Sequence, residues 1–232
     1  SASGAGIFID SKLDKLKFNS KKTIRVEIEK DSGCYQFGSC FIEGVTNKES
    51  PEWLKKSLKS VGQKPISAIV DITNYVMLDM NRPLHTYDAD KISEKIIVRK
   101  SKKGESFQAL DNKKYILSDS NCVISDASKV LGLGGIIGGE GSGTEMSTEN
   151  IILEAASFDP ISIAQSSKEL GIITDAKYRF ERGVDPKSIE EGLVKAAKLI
   201  QEICGGKIGK IIITGKTNYK ERKINFDLAN FK

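Results

Sequence analysis

V-D-I-T-N-Y-V-M-L-D-M-N-R-P-L-H-T-Y-D-A-D, from Val70 to Asp90, is the stretch around which the chain organises itself. Ile69, Ile72 and Val76 recur at helical spacing behind Ser67, a residue suited to an N-cap, so the first half reads as a helix. Arg82-Pro83 reads as its end, because proline cannot continue a helix and restricts the residue before it. His85, the one histidine in the sequence, then falls on a loop turning back toward that helix. Thr73 and Asn74 stand at the edge of the apolar stripe, where they face a cleft rather than bulk water. A lone histidine beside two short polar side chains leaves three readings open. It positions a water, binds a phosphate, or satisfies a buried turn.

Upstream, Thr23–Glu29 alternates strictly and places Ile24, Val26 and Ile28 on one face of a half-buried strand. Cys34–Ile42 reads as its partner after the Asp31-Ser32-Gly33 turn. Ser50-Pro51-Glu52 opens a helix with a serine cap, striped by Leu54, Leu58 and Val61 and stopped by Gly62. Downstream, Lys95–Arg99, Glu105–Leu110, Lys114–Leu117 and Asn121–Ser125 read as short strands, with Asp111-Asn112 as a tight turn. Strands at this spacing predict a curved sheet or barrel.

The run G-L-G-G-I-I-G-G-E-G-S-G, Gly132 to Gly143, has no register that gives G-x-G-x-x-G, and no lysine follows for a Walker loop. It is either a hairpin tip or backbone that approaches a ligand closely. Asn150–Leu153 reads as an apolar strand ending in Glu154-Ala155-Ala156. A carboxylate closing a buried strand needs a partner, and Arg179 and Arg182 are candidates. Further helices open at Asp159-Pro160, stopping at Gly171, and at Asp185-Pro186, striped by Ile189, Leu193, Ala196, Ile200 and Ile203. Lys210–Thr214 is a last strand.

With 232 residues, 39% hydrophobic and 29% charged, the chain supports one domain with a sizeable core or two small lobes sharing one. Its net charge of +5, carried on scattered lysines, is compatible with touching RNA but weaker than the basic stripe of a dedicated nucleic-acid binder. Cys34, Cys40, Cys122 and Cys204 form no C-x-x-C pair and have one histidine to join them, which argues against a zinc site. They read as reduced core thiols. The absence of a signal peptide and of a membrane-length apolar run predicts a cytoplasmic location with no membrane partner. Residues 1–22 read as a linker from a preceding domain, 23–215 as one domain, and 216–232 as the lead-in to a following domain.

Five motifs then fall in order: T-N-Y-V from Thr73, R-P-L-H-T-Y-D from Arg82, G-G-I-I-G-G from Gly134, I-L-E-A-A-S-F-D-P from Ile152 and T-D-A-K-Y-R-F-E-R-G-V-D-P from Thr174. On these, from Thr23 to Thr214, the chain resembles the B3/B4 editing module of bacterial phenylalanyl-tRNA synthetase beta subunits. The resemblance implies an α+β fold with a β-rich core, a curved mixed sheet or barrel-like layer with flanking helices. It implies hydrolysis of tyrosine wrongly esterified to tRNA(Phe). Thr73 and Asn74 then position water and substrate, and His85 is the editing histidine. Gly135 and Gly138 form the pocket loop, Glu154 belongs to the substrate pocket, and Thr174 and Ala176 stand beside it.

The implied partners are the 3′ end of tRNA(Phe), tyrosine, and an alpha subunit in a heterotetramer. No cofactor belongs to this chain, and ATP and magnesium belong to the whole enzyme, where aminoacylation falls to the partner subunit. Two departures stand out: Gly134-Gly135 replaces an Ala-Gly pair, and Ala89 stands where some members carry a second histidine.

The chemistry of the residues is consistent with this. A buried acceptor shaped for a hydroxyl rejects the analogue lacking it, so Glu154 suits the para-hydroxyl of tyrosine, with the N–H of Gly138 as complementary donor. An imidazole with its ordinary pKa of about 6.5 accepts a proton near neutrality, and the backbone near Gly135 suits an oxyanion donor. His85 is thus a general base or an anchor for the tRNA end. A non-catalytic tRNA-binding or assembly module of the same fold is the rival reading. The joint presence of Thr73, Asn74, His85 and Glu154 argues against it. A nucleotide-binding domain built on the glycine run fails on motif spacing.

Overall fold

The structure, a computed structural model, describes residues 16–217. One strand divides its core. This is β10, Asn150–Phe158, which pairs on one edge with β2, Cys34–Glu43, and on the other with β3, His85–Asp88. Side chains alternate across a strand. Ile151, Leu153 and Ala155 therefore point one way, into a cluster with Leu54, Ile69, Ile72, Leu193 and Ile200 beneath three helices. These helices are α1 (Glu52–Ser60), α2 (Ala68–Met80) and α5 (Ser188–Cys204). Ile152, Ala156 and Phe158 point the other way, into a second cluster with Ile96, Val98, Val123 and Leu131 of another sheet. Glu154 has the parity of this second set and so stands between the sheets.

The first sheet runs β11-β2-β10-β3, with β12 also on β2, where β11 is Lys207–Ile208 and β12 is Ile212–Gly215. The second runs β1-β4-β7-β8-β9: Arg25–Ile28, Lys95–Lys100, Cys122–Ser125, Val130–Leu133 and Ile137–Gly138. It is mixed, since β1 lies parallel to β4 while the remaining pairs are antiparallel. Ser106–Gln108 (β5) and Lys114–Ile116 (β6) form a separate hairpin around Asn112, which adopts φ 61°. The fold is α+β with flanking helices, and among the described residues no sheet closes into a barrel. Strand spacing in the sequence limits strand lengths but not which edges meet. Here β1 and β9 are the terminal strands of their sheet.

Three local expectations are corrected. β1 does not pair with β2, because β2 spends one edge on β10 and the other on β11 and β12. The turn at Asp31 (φ 61°) and Gly33 (φ 89°) carries the chain from one sheet to the other instead of closing a hairpin. His85 opens a strand rather than sitting on a loop. Helix α2 stops at Met80 with Asn81 left-handed at φ 53°, and β3 begins four residues later. Glu154 lies in the middle of β10, which continues through Phe158.

Helix α3, Pro160–Leu170, forms as its signals direct: the Asp159 carboxylate accepts the Ser162 N–H at 2.9 Å, and Gly171 ends it at φ 66°. Ser50 instead donates to Asp71 at 2.5 Å, leaving Pro51 at the N-cap of α1 with no side-chain cap. The backbone N–H groups of Asn19 and Ser20 donate to the Ile208 carbonyl at 2.9 and 3.0 Å, tying residues before β1 to β11. The expected linker segments over 1–15 and 218–232 lie outside the described residues. Among the described residues all four cysteines are buried and free, and no helix is long and apolar enough to cross a membrane.

Candidate functional site

Between the two sheets lies a cavity of about 140 Å³. A void of about 150 Å³ takes a benzene ring, so this one suits a single aromatic side chain. Its walls include His85 and Tyr87 from β3, Glu154 from β10, and Gly135 and Gly138 from the β8–β9 hairpin. Ala176 and Phe180 close it from α4, Asp175–Phe180, a helix that the sequence signals did not reveal.

Strand register places the polar groups. Glu154 lies opposite His85, and Tyr87, two residues further along β3, is its diagonal neighbour, within reach of a long side chain. The Tyr87 hydroxyl donates to Oε2 of Glu154. Burial pushes the Glu154 carboxyl up to about 7, against the pull of that hydrogen bond, and pushes the Tyr87 phenol well above its ordinary value. The His85 ring meets Tyr87 edge-on at 4.6 Å between centroids. Burial lowers its pKa to about 4, so the imidazole is neutral at pH 7. The ordinary pKa on which a proton-accepting role was argued does not apply here. His85 Nε2 is enclosed without a hydrogen-bond partner among the described residues.

The expected pairing of Glu154 with Arg179 or Arg182 does not form. Ala176 and Phe180, four residues apart on one face of α4, take the cavity side, and the arginines turn away. Arg179 pairs with Asp175 at 3.1 Å, while Arg182 pairs with Glu181 and stacks over the Tyr178 ring at 3.7 Å.

Two hairpin glycines are required by space. Gly135 adopts φ 69°, and a Cβ there would meet Phe158 at 2.8 Å. A Cβ on Gly138 would lie 2.6 Å from His85 Cε1. The Gly139 N–H donates to Leu131, which makes Gly132–Gly138 the non-bonded pair of the β8–β9 ladder. The N–H and C=O of Gly138 therefore point away from β8, and its carbonyl takes the Leu110 N–H on that outer side at 3.0 Å.

Thr174 is not in the cavity wall. It caps α4 by accepting the Lys177 N–H at 3.1 Å, and it donates to the Ile136 carbonyl at 2.7 Å, fastening the helix to the hairpin. Thr73 and Asn74 also lie outside the wall. They belong to α2, which packs on the opposite face of the β10 sheet, and the Thr73 hydroxyl donates to the Val70 carbonyl at 2.7 Å. Tyr87 and Phe180 are wall residues that sequence reasoning missed, and Tyr87 is the polar one. The signal was available: in H-T-Y, residues two apart share a strand face once the segment is read as β.

The two buried titrating groups oppose each other in stability. Glu154 keeps its proton in the fold up to about pH 7, whereas an unfolded carboxyl releases it near 4.5. Its contribution is fully present below 4.5 and is lost as pH rises toward 7. An unfolded histidine gains a proton below about 6.5, but His85 resists until about 4, so its contribution is present above 6.5 and lost as pH falls. Between these limits the two slopes cancel. His85→Gln will lose about 2–3 kcal/mol from pH 4.5 to 6.5 relative to the parent, and Glu154→Gln will gain a similar amount. Urea midpoints at the two pH values measure this. Identical pH trends in all three proteins would refute it.

A family model described as the B3/4 domain matches residues 33–205. The phenylalanine–tRNA ligase beta subunit of Rhodopseudomonas palustris is 43% identical over 231 residues, covering 100% of this chain and 29% of that one. The corresponding subunit of a Wolbachia of Brugia malayi is 44% identical over 214 residues, covering 92% and 27%. The chain thus spans under a third of the length of these relatives. A crystal structure of an N-terminal fragment of the phenylalanyl-tRNA synthetase beta subunit from Pyrococcus horikoshii superposes with a TM-score of 0.55 at 16% identity, covering 87% of this chain and 57% of that one. At that identity the likeness is one of fold.

Proposed function

The chain belongs to the B3/4 domain family, and on that premise we propose that it is the editing module of a phenylalanine–tRNA ligase beta subunit, hydrolysing the ester of tyrosine wrongly attached to tRNA(Phe). The observation that carries this reading is a buried carboxyl, Glu154, in the wall of a cavity sized for one aromatic ring. A tyrosyl side chain entering the cavity donates its hydroxyl to Oε1 of Glu154, since Oε2 is held by Tyr87. In this reading the outward N–H of Gly138 serves as the complementary donor to the same hydroxyl oxygen. A phenylalanyl ring fits the same space but leaves these groups without a partner, a penalty that falls on the correctly charged product.

His85 acts in this reading as a neutral imidazole that binds and orients, not as a strong base. An aminoacyl ester is already activated, so a placed water and good positioning supply much of what its hydrolysis needs. The water-holding role of Thr73 and Asn74 rests on the family resemblance and is exercised, in this proposal, from outside the cavity wall. ATP, the alpha subunit and aminoacylation belong to the whole enzyme in the same reading.

The test is single-turnover deacylation of tyrosyl-tRNA(Phe) and phenylalanyl-tRNA(Phe) by the assembled two-subunit enzyme. The parent is expected to cleave the tyrosyl ester preferentially. Glu154→Ala should lower that preference about 10- to 100-fold, the worth of one hydrogen bond to a charged group. Cleavage no faster than the spontaneous rate would favour a non-catalytic tRNA-binding module.

A further inference from the structure

Tyr87 is 1% exposed, and its hydroxyl is spent on the one carboxyl in the cavity wall. We propose that Tyr87 is the positioning residue that sets the selectivity of this site, fixing Glu154 in one rotamer and keeping it an acceptor toward the ligand. This rests on the editing reading of the cavity and adds to it a residue to which the resemblance assigned no role.

The argument is geometric. A glutamate has three rotatable bonds and, in an apolar cavity wall, little else to hold it. Its Oε2 is fixed by the Tyr87 hydroxyl. Tyr87 is itself fixed, since β3 pairs with β10 from Asp88 to His85 and Tyr87 forms an isolated bridge with Gly143 on its other side. The donor and the carboxyl it orients thus sit on adjacent strands of one sheet. The direction of the bond matters chemically. A hydroxyl that donates to Oε2 favours the carboxylate form, which accepts from a second hydroxyl at Oε1.

The neighbouring groups leave this pair to titrate alone near neutrality. Cys34 on β2 is held well above the ordinary thiol value, Cys122 on β7 is pushed up to about 12, and His85 on β3 is down at about 4. The facing wall residues of the hairpin and α4, namely Gly135, Ile137, Gly138, Ala176 and Phe180, carry no titrating group.

Tyr87→Phe removes one oxygen and keeps the ring. In the assembled enzyme its tyrosyl-over-phenylalanyl preference should fall about tenfold, and the pH at which that preference reaches half its maximum should rise above the parent's. In a Glu154→Ala background the same substitution should change nothing further, because Tyr87 acts through that carboxyl. An unchanged preference and midpoint in Tyr87→Phe would overturn the proposal, as would an equal loss in the Glu154→Ala background.

A second measurement is independent of tRNA. The infrared carboxyl band, assigned by its disappearance in Glu154→Gln, should lose its protonated form at a higher pH in Tyr87→Phe than in the parent. An unmoved band refutes the role of Tyr87 whether or not the domain edits. A parent enzyme that shows no tyrosyl preference, with the band shifted as expected, refutes the editing reading and leaves the pairing intact.

Discussion

Arg82→Leu will destabilise the fold by about 3–5 kcal/mol, an expected loss of about 10 °C in Tm, the largest stability effect of any single substitution considered. Its side chain is fully buried, and the charge of the Asp185 carboxylate acts on it against the cost of that burial. Nη1 donates to the Ala156 carbonyl at 2.7 Å, Nε to the Ser188 hydroxyl at 2.9 Å, and Nη2 to the Asp185 carbonyl. These bonds join the turn before β3, the far end of β10 and the start of α5. The Ala156 bond has a clear origin: β3 pairs with β10 only as far as Glu154, so the next edge carbonyl is left to the arginine.

Burial lowers the Arg82 pKa to about 10, which keeps the guanidinium charged at neutral pH. Its stem also packs where a Cβ on Gly192 would lie, 2.7 Å from Cγ. Leucine fills part of that volume but donates nothing, and the Ala156 carbonyl is left buried and unpaired. Arg82→Lys retains the charge without the planar fork and should fall between the two. Calorimetry on the three proteins decides it. A loss under 1 kcal/mol for leucine would mean the bonds are replaceable by water.

Gly138→Val is the second large effect, and it acts on the site rather than the fold. The backbone at Gly138 does not have positive φ, so strand β9 accepts a side chain. The space does not. A Cβ would stand 2.6 Å from His85 Cε1, 3.0 Å from Nε2 and 2.9 Å from the Leu110 Cδ1 atom. Leu110 is half exposed and yields, but His85 is held between Gly138 and the Tyr87 ring. Valine therefore drives the imidazole into the cavity and takes volume from a space only large enough for one ring.

We expect tyrosyl-tRNA(Phe) cleavage by the assembled enzyme to fall about a hundredfold, at a stability cost of about 1–3 kcal/mol from overpacking. Single-turnover rates beside a melting curve separate the two. Full activity with a normal melt would show that the ligand does not enter between His85 and the hairpin.

Much of this protein was legible in its sequence. The helix opened by Asp159, the alternation of β1, and the tight turn at Asn112 follow from local chemistry, where neighbours in sequence are also the interacting partners, whereas α5 starts at Ser188, three residues beyond the Asp185 expected to open it. The motif order identified the family, and His85, Gly135, Gly138, Glu154 and Ala176 do line one cavity. What the sequence could not show was decided by partners distant along the chain. β2 spends both edges elsewhere and so cannot pair with β1. The glycine-rich run hid β8 and β9, because glycine has no side chain to announce a strand face.

Glu154 pairs with Tyr87 rather than with an arginine because register sets them on one face of adjacent strands 67 residues apart in sequence. His85 shows the same limit in its electrostatics. Its residue type supplies an ordinary pKa of about 6.5, while its burial, which only the packed sheets create, moves that value to about 4. The sequence fixes which groups are present, whereas desolvation and reach, which depend on the whole fold, determine what those groups can do.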